Sequence, residues 1–155
     1  MYLRIGDVMV KQGILTESDR DAVLERQRET ARPFGLLAEQ MFGVSPHGVE
    51  LAWAEQYVEV ADSVDPRTER VEPAALRTIT ARQAWQFGLL PMRYEGNDLV
   101  IATTQHNLPR ALRFTGWRFP HPCYLVIAEA TALGEALDAH FPLRGMSARL
   151  LSINS

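Results

Sequence analysis

The sequence predicts an α+β chain: an N-terminal helical subdomain of two repeated helical hairpins, then a small α/β subdomain with a three-stranded sheet. Three observations carry that expectation. A pattern in the first 56 residues recurs after 29 residues. Apolar residues switch from helical spacing to strand-like runs after about residue 57. The turn sequence Glu95-Gly96-Asn97-Asp98 separates two of those runs. These signals set expected boundaries at 1–61 for the helical subdomain, 62–142 for the α+β subdomain and 143–155 for a C-terminal tail.

Arg4-Ile5-Gly6 opens the first repeat unit and Gln27 closes it; Pro33-Phe34-Gly35 opens the second and Gln56 closes it. Gly6 to Gly35 and Gln27 to Gln56 are both separations of 29 residues, and Val8, Leu15, Thr16 and Leu24 align with Leu37, Val44, Ser45 and Trp53. In the first unit Ile5, Val8 and Met9 fall at i, i+3, i+4, one face of a short helix. Gly13 can end it in the left-handed conformation that only glycine adopts cheaply. Thr16 is then an N-cap, with Asp19 three residues on as an imperfect capping box. Val23, Leu24 and Gln27 share a face of the helix that follows. In the second unit Leu36, Leu37 and Met41 are expected to line the short helix and Gly43 to stop it. Ser45 caps a further helix with Pro46 at its first position, where a missing N–H costs nothing, and Val49, Trp53 and Gln56 share its face. Two such hairpins can pack about one apolar seam.

Tyr57 to Val60 alternates like a short strand, and 62–72, with Pro66 and several charges, reads as a connector. Pro73 opens a helix, and a second runs from Thr80 to Phe87 and ends at Gly88. Leu89–Tyr94 and Leu99–Thr103 are β-like, Ala111–Phe114 is a brief helical turn, Pro122–Ala128 is a buried strand and Thr131–Phe141 a closing helix. The order α-β-β-α-β-α gives a small sheet covered by helices.

Composition narrows the function classes. The 46% hydrophobic content belongs to a folded chain, and no apolar run approaches the roughly 20 residues needed to span a bilayer. The N-terminal segment, with Arg4, Asp7 and Lys11, has no signal-peptide core. Cys123 is the single cysteine, which suits a reducing cytoplasm. The net charge of −3 argues against DNA as a partner. Residues 1–62 carry six Lys/Arg against eleven Asp/Glu, a balance of −5, and residues 63–155 carry ten against eight, +2. Fifteen of the sixteen basic residues are arginines, which reflects either codon bias or a use for planar guanidinium forks. The four histidines have no metal-like spacing, Cys123 sits in an apolar run as a small buried hydrophobe, and no Ser-His-Asp arrangement stands out. Arg110, Arg113 and Arg118 cluster near Trp117, either as a solvated face or as a contact for phosphate or an acidic partner.

The first unit, from Arg4-Ile5-Gly6 through Gly13-Ile14-Leu15-Thr16 to Leu24 and Gln27, resembles a repeat of the N-terminal domain of the ATPases that drive type II secretion and type IV pili. Ala81-Arg82, Leu89-Leu90-Pro91-Met92-Arg93, Asp98-Leu99-Val100-Ile101-Ala102 and Leu112-Arg113-Phe114-Thr115-Gly116 are similar to its α+β half, in family order, so the resemblance spans residues 3–141. It implies two roles: binding of cyclic di-GMP through the helical repeats, or docking on a secretion or pilus ATPase or an inner-membrane assembly protein. The chain departs from the family pattern in four ways. Pro33 stands where ligand-binding members carry a basic residue, Arg20 stands where an apolar residue is usual, and Gln105–Pro109 is shortened. There is no Gly-x-x-x-x-Gly-Lys-Ser/Thr phosphate loop, so no catalysis and no cofactor are expected.

Cyclic di-GMP presents two guanines and two phosphates. Arg can stack on a purine or donate to guanine O6/N7, and glycine permits a close backbone approach. The expected ligand set is Arg4, Ile5, Gly6 and Gln27 from the first unit, with Arg32, Phe34, Gly35 and Gln56 as an altered set from the second. The competing reading is that both glycines only allow tight helix packing and both glutamines are solvated helix ends. The leading expectation is a cytoplasmic, non-catalytic regulatory domain that binds cyclic di-GMP. The alternative is a protein-docking module of a secretion or pilus system without nucleotide binding.

Overall fold

The computed structural model describes residues 4–45 and 61–147. The expected helix from Pro46, the strand at Tyr57–Val60, and the residues Trp53 and Gln56 lie outside the described residues. Helix α1 (Ile5–Lys11) starts at Arg4, whose backbone N–H donates to Asp7 Oδ2 at 3.2 Å. Helix α2 (Glu17–Thr30) starts at Thr16 with a reciprocal cap: the Asp19 N–H donates to Thr16 Oγ1 at 3.0 Å, and the Thr16 N–H donates to Asp19 Oδ2 at 3.1 Å. The short Asp side chain therefore serves where Glu is usual. Helix α3 (Phe34–Phe42) ends at Gly43, at φ +72°.

The 29-residue repeat is written into the backbone hydrogen bonds. Val8 N–H donates to Arg4 O, and Leu37 N–H donates to Pro33 O. Leu15 N–H donates to Met9 O, and Val44 N–H donates to Ala38 O. Val8, Met9 and Leu15 are buried, as are their counterparts Leu37, Ala38 and Val44. Met41 corrects the expected face of α3: it is 40% exposed, and the buried stripe is Phe34, Gly35, Leu37 and Ala38. The contact that selects this stripe is the packing of Gly35 on Gly116 and Trp117.

Helices α4 (Pro73–Leu76) and α5 (Ala81–Phe87) follow. Thr80 caps α5 with Gln83 in a full capping box, and Gly88 closes it at φ +64°. Strands β1 (Leu90–Glu95) and β2 (Asp98–Thr103) then pair antiparallel across a two-residue turn, with Glu95 opposite Asp98. Gly96, the first turn residue, has φ +64°, the sign that a glycine-first hairpin turn needs. A bulge between Pro91 and Arg93 accommodates the proline, which has no N–H for the ladder.

Helix α6 (Leu108–Arg113) continues into a π-helical turn at Phe114–Arg118, longer than the brief turn expected at Ala111–Phe114. The added length makes the crossover that places β3 (Cys123–Ile127) parallel to β2, Leu99 opposite Cys123 and Thr103 opposite Ile127. The sheet order is β1-β2-β3. Central β2 is buried along its whole length, as its unbroken apolar run Leu99–Ala102 requires. Helix α7 (Ala130–His140) buries Ala132, Leu133, Gly134, Ala136 and Leu137 and touches β1.

The segment 62–72 does more than connect. Ile127 N–H donates to Asp62 O and Val64 N–H donates to Ile127 O, both at 2.9 Å, while Glu72 N–H donates to Met92 O at 2.6 Å. It straps the two edges of the sheet. At the other end, Leu143 and Met146 pack against the core, so the chain stays folded past α7 as far as it is described.

Candidate functional site

The N-terminal residue of the first repeat docks onto the sheet. Arg4 forms an antiparallel bridge to Tyr124 in β3. Its side chain donates from Nε to the Tyr124 hydroxyl at 3.2 Å, lies 5.3 Å from that ring's centroid, and pairs through Nη2 with Asp98 Oδ2 at 3.0 Å. Burial alone would lower the Arg4 pKa, but the Tyr124 hydrogen bond and the Asp98 carboxylate more than offset it and hold it above its ordinary value. Tyr124 and Asp98, near the Asp98–Cys123 end of the β2–β3 pair, hold this guanidinium, and 32% of the Arg4 side chain stays exposed.

Beside it lies a small cavity of about 20 Å³, roughly the room of a single water. Arg4, Ile5, Gly6, Gln27 and Phe34 all line it, with Arg20 and Leu24 from α2. The opposite wall is the α+β part: Leu112, Thr115, His121, Pro122, Cys123 and Leu125. The cavity therefore lies between the helical repeats and the sheet module. Gln27, expected at a solvated helix end in the competing reading, is only 3% exposed. Its amide Nε2 donates to Pro120 O at 3.4 Å, a long bond, and its Oε1 is a buried acceptor with no hydrogen-bond partner among the described residues. Such an atom is costly and uncommon in a folded protein.

The two glycines differ in what surrounds them. A Cβ on Gly6 would meet the Phe34 ring tip at 2.8 Å and Arg20 Cγ at 2.9 Å, both side-chain atoms that can move. A Cβ on Gly35 would meet Trp117 Cδ2 at 2.5 Å and the backbone oxygen of Gly116 at 2.7 Å. Gly35 is thus a packing glycine on a different side of the helical part from the cavity. Gly35→Val should lower the unfolding free energy by about 1–3 kcal/mol, the usual range for overpacking. Urea denaturation checks this, and an unchanged midpoint would show that α3 can shift away from the π turn.

Of the second repeat's expected set, then, Phe34 reaches the cavity, Gly35 does not, Arg32 is exposed and outside it, and Gln56 lies beyond the described residues. Pro33 occupies the position equivalent to Arg4, so no guanidinium mirrors Arg4 there.

Sequence reasoning did not single out Asp98, Tyr124 or His121 for the site, and it noted Arg20 only as a charged residue where an apolar one is usual. Arg20 bridges Asp7 at 3.0 Å and Asp21 at 3.2 Å, which explains a charged residue at an otherwise apolar repeat position. Burial lowers the His121 pKa, so the ring is neutral at pH 7; it packs on Phe119 and edge-on to Tyr94. Burial, reinforced by Asp98, pushes the Cys123 thiol well up, and the thiol donates to His121 O at 3.1 Å. A thiol held protonated in this way is a poor nucleophile. The described residues hold no cluster of His, Cys, Asp and Glu suited to a metal, and no described helix is long and apolar enough to cross a membrane.

Comparison with known proteins matches residues 48–147 to the family model of the MshEN domain. No curated protein matches. Among solved structures, one of MshE with cyclic di-GMP is similar at 22% identity and a TM-score of 0.46, over 90% of this chain and 99% of that one. The N-terminal domain of XpsE is similar at 17% identity and a TM-score of 0.40, over 88% and 93%. The family match covers well over half of the chain: the chain belongs to the MshEN domain family, the N-terminal domain of secretion and pilus ATPases.

Proposed function

We propose that this chain is a non-catalytic regulatory domain of the secretion-ATPase type, cytoplasmic, that binds cyclic di-GMP through its first repeat. One observation carries the reading: Arg4, Ile5, Gly6 and Gln27 converge on one cavity, and one of them, Gln27, carries a buried acceptor without a partner among the described residues. An amide oxygen matches the N1–H and N2–H donors of guanine, as the Arg4 guanidinium matches its O6 and N7 acceptors or its face. The relative solved with cyclic di-GMP supports the choice of ligand. A dinucleotide far exceeds a space of about 20 Å³, so binding requires the repeats to part from the sheet module or the Arg20 and Phe34 side chains to swing out.

The same closure favours a second reading, a docking module without nucleotide binding. Its specific support is that Arg4 is already neutralised by Asp98 and Arg32 stands away from the cavity. Calorimetric titration with cyclic di-GMP decides between them, with GTP and ATP as controls. The expected result is saturable heat with cyclic di-GMP alone and no hydrolysis of either triphosphate. No heat with cyclic di-GMP at millimolar ligand would overturn the receptor reading. Turnover that survives repeated purification would overturn the non-catalytic one.

A further inference from the structure

Away from the cavity, helix α6 and the π turn carry a second feature that the repeat chemistry does not use. Between Asp98 and Glu129 the chain has no acidic residue, and Arg110, Arg113 and Arg118 fall in that stretch. All three are exposed and line one open groove of about 210 Å³, floored by Phe87 and Phe114. The two rings stack with centroids 4.6 Å apart, and the Arg110 guanidinium sits 5.9 Å from the Phe87 centroid. The groove continues past Gln86 and Arg118 into a neighbouring depression of about 380 Å³ with Thr78 and Gln83 on its wall.

Six arginines elsewhere pair with Asp or Glu: Arg4, Arg20, Arg26, Arg67, Arg70 and Arg93. Arg110 and Arg118 have no such pair among the described residues. Placing Arg110 and Arg113 at i, i+3 on a short helix costs stability through like-charge repulsion. A π-helical turn next to them is a conformation often found at functional sites. An aromatic floor, a cationic rim and amide side chains along the wall together suit one kind of occupant.

We infer that this groove docks an extended acidic peptide segment of another protein, with an apolar side chain on the Phe87–Phe114 floor and carboxylates toward Arg110, Arg113 and Arg118. A groove open along two joined depressions fits a chain rather than a compact anion, and carboxylates give the guanidinium forks bidentate partners. The inference does not depend on cyclic di-GMP, whose proposed cavity has other walls.

The test is fluorescence anisotropy on the full chain with a labelled synthetic peptide of alternating Glu and Leu, beside its Gln-for-Glu counterpart. The acidic peptide should bind at least tenfold more tightly than the neutral one, and its binding should weaken steeply between 50 and 300 mM salt. The double charge reversal Arg110→Glu, Arg118→Glu should weaken binding at least tenfold, with an unchanged thermal melt. Arg82→Glu, an exposed arginine outside the groove, should leave binding intact. If that double variant unfolds, Arg110→Gln with Arg118→Gln replaces it, and the same tenfold loss is expected. Equal binding of the two peptides, no binding of either, or no loss in the arginine variants would overturn the proposal. So would displacement of the acidic peptide by millimolar phosphate or by phosphatidylglycerol vesicles as readily as by unlabelled peptide.

Discussion

Trp85→Ala should cost roughly 3–5 kcal/mol of unfolding free energy, the range for removing a large buried aromatic, the largest loss of any substitution proposed for this chain. Trp85 is 5% exposed on helix α5, among the buried residues of the core. Its indole Nε1 donates to Phe141 O at 2.8 Å, at the C-terminal cap of α7. One side chain thus fills the core and fastens the last described helix to it. Trp85→Phe separates the two contributions. It keeps most of the apolar volume but leaves the Phe141 carbonyl without its donor, a loss of about 1–3 kcal/mol. Urea melts of both variants check the ordering. A Trp85→Ala loss below about 1 kcal/mol would mean that α7 is held by its own apolar face and not by the indole.

How far the sequence foretold the molecule depends on whether the physics was local. Glycine and cap residues punctuate helices within three or four positions, so Gly13, Thr16, Gly43, Thr80 and Gly88 each mark an end the structure reproduces. The 29-residue repeat is visible because it sets the same hydrogen bonds twice. Strand runs such as Leu99–Ala102 announce burial by lacking any polar residue. The rest depends on pairs far apart in the chain. Nothing near Arg4 announces Tyr124, 120 residues away, or Asp98. Met41 fits an apolar stripe by spacing alone, but Gly35 packing on Gly116 fixes which face of α3 turns inward. The strap at 62–72 reads as a connector because many of its bonds to the sheet are made by backbone, and its side-chain contacts, Glu69 with Arg93 and Glu72 Oε1 with the Tyr94 N–H, need partners in β1 that lie far along the chain. The same division runs through the candidate site. The first repeat's four residues were picked out by the repeat together with the family resemblance, while the wall that faces them comes from α6, the π turn, the loop before β3 and β3 itself, and has no repeat to mark it.

If cyclic di-GMP binds in the cavity, Arg4→Ala should weaken it about 10- to 150-fold, since a charge-assisted contact is worth about 1.5–3 kcal/mol. Arg4 already stands on the cavity wall, its guanidinium fixed by Asp98 and Tyr124, so little of that contact is spent on ordering the side chain. Arg4→Lys should rescue little, because an ammonium cannot reproduce the planar fork that stacks on or brackets a guanine. Arg32→Ala should weaken binding less than fivefold: the residue is exposed, lies outside the cavity and follows Ala31, whose left-handed φ of +53° turns the chain away from α2 before Pro33. Removing Arg4 also leaves Asp98, whose side chain is 11% exposed, without its guanidinium. Thermal melts of all three variants must therefore precede titration, so that lost folding is not read as lost binding. Equal losses at Arg4 and Arg32 would show that the second repeat takes part despite Pro33. No loss at Arg4 in a folded variant would remove the cavity from the binding site and leave the docking reading as the one the geometry supports.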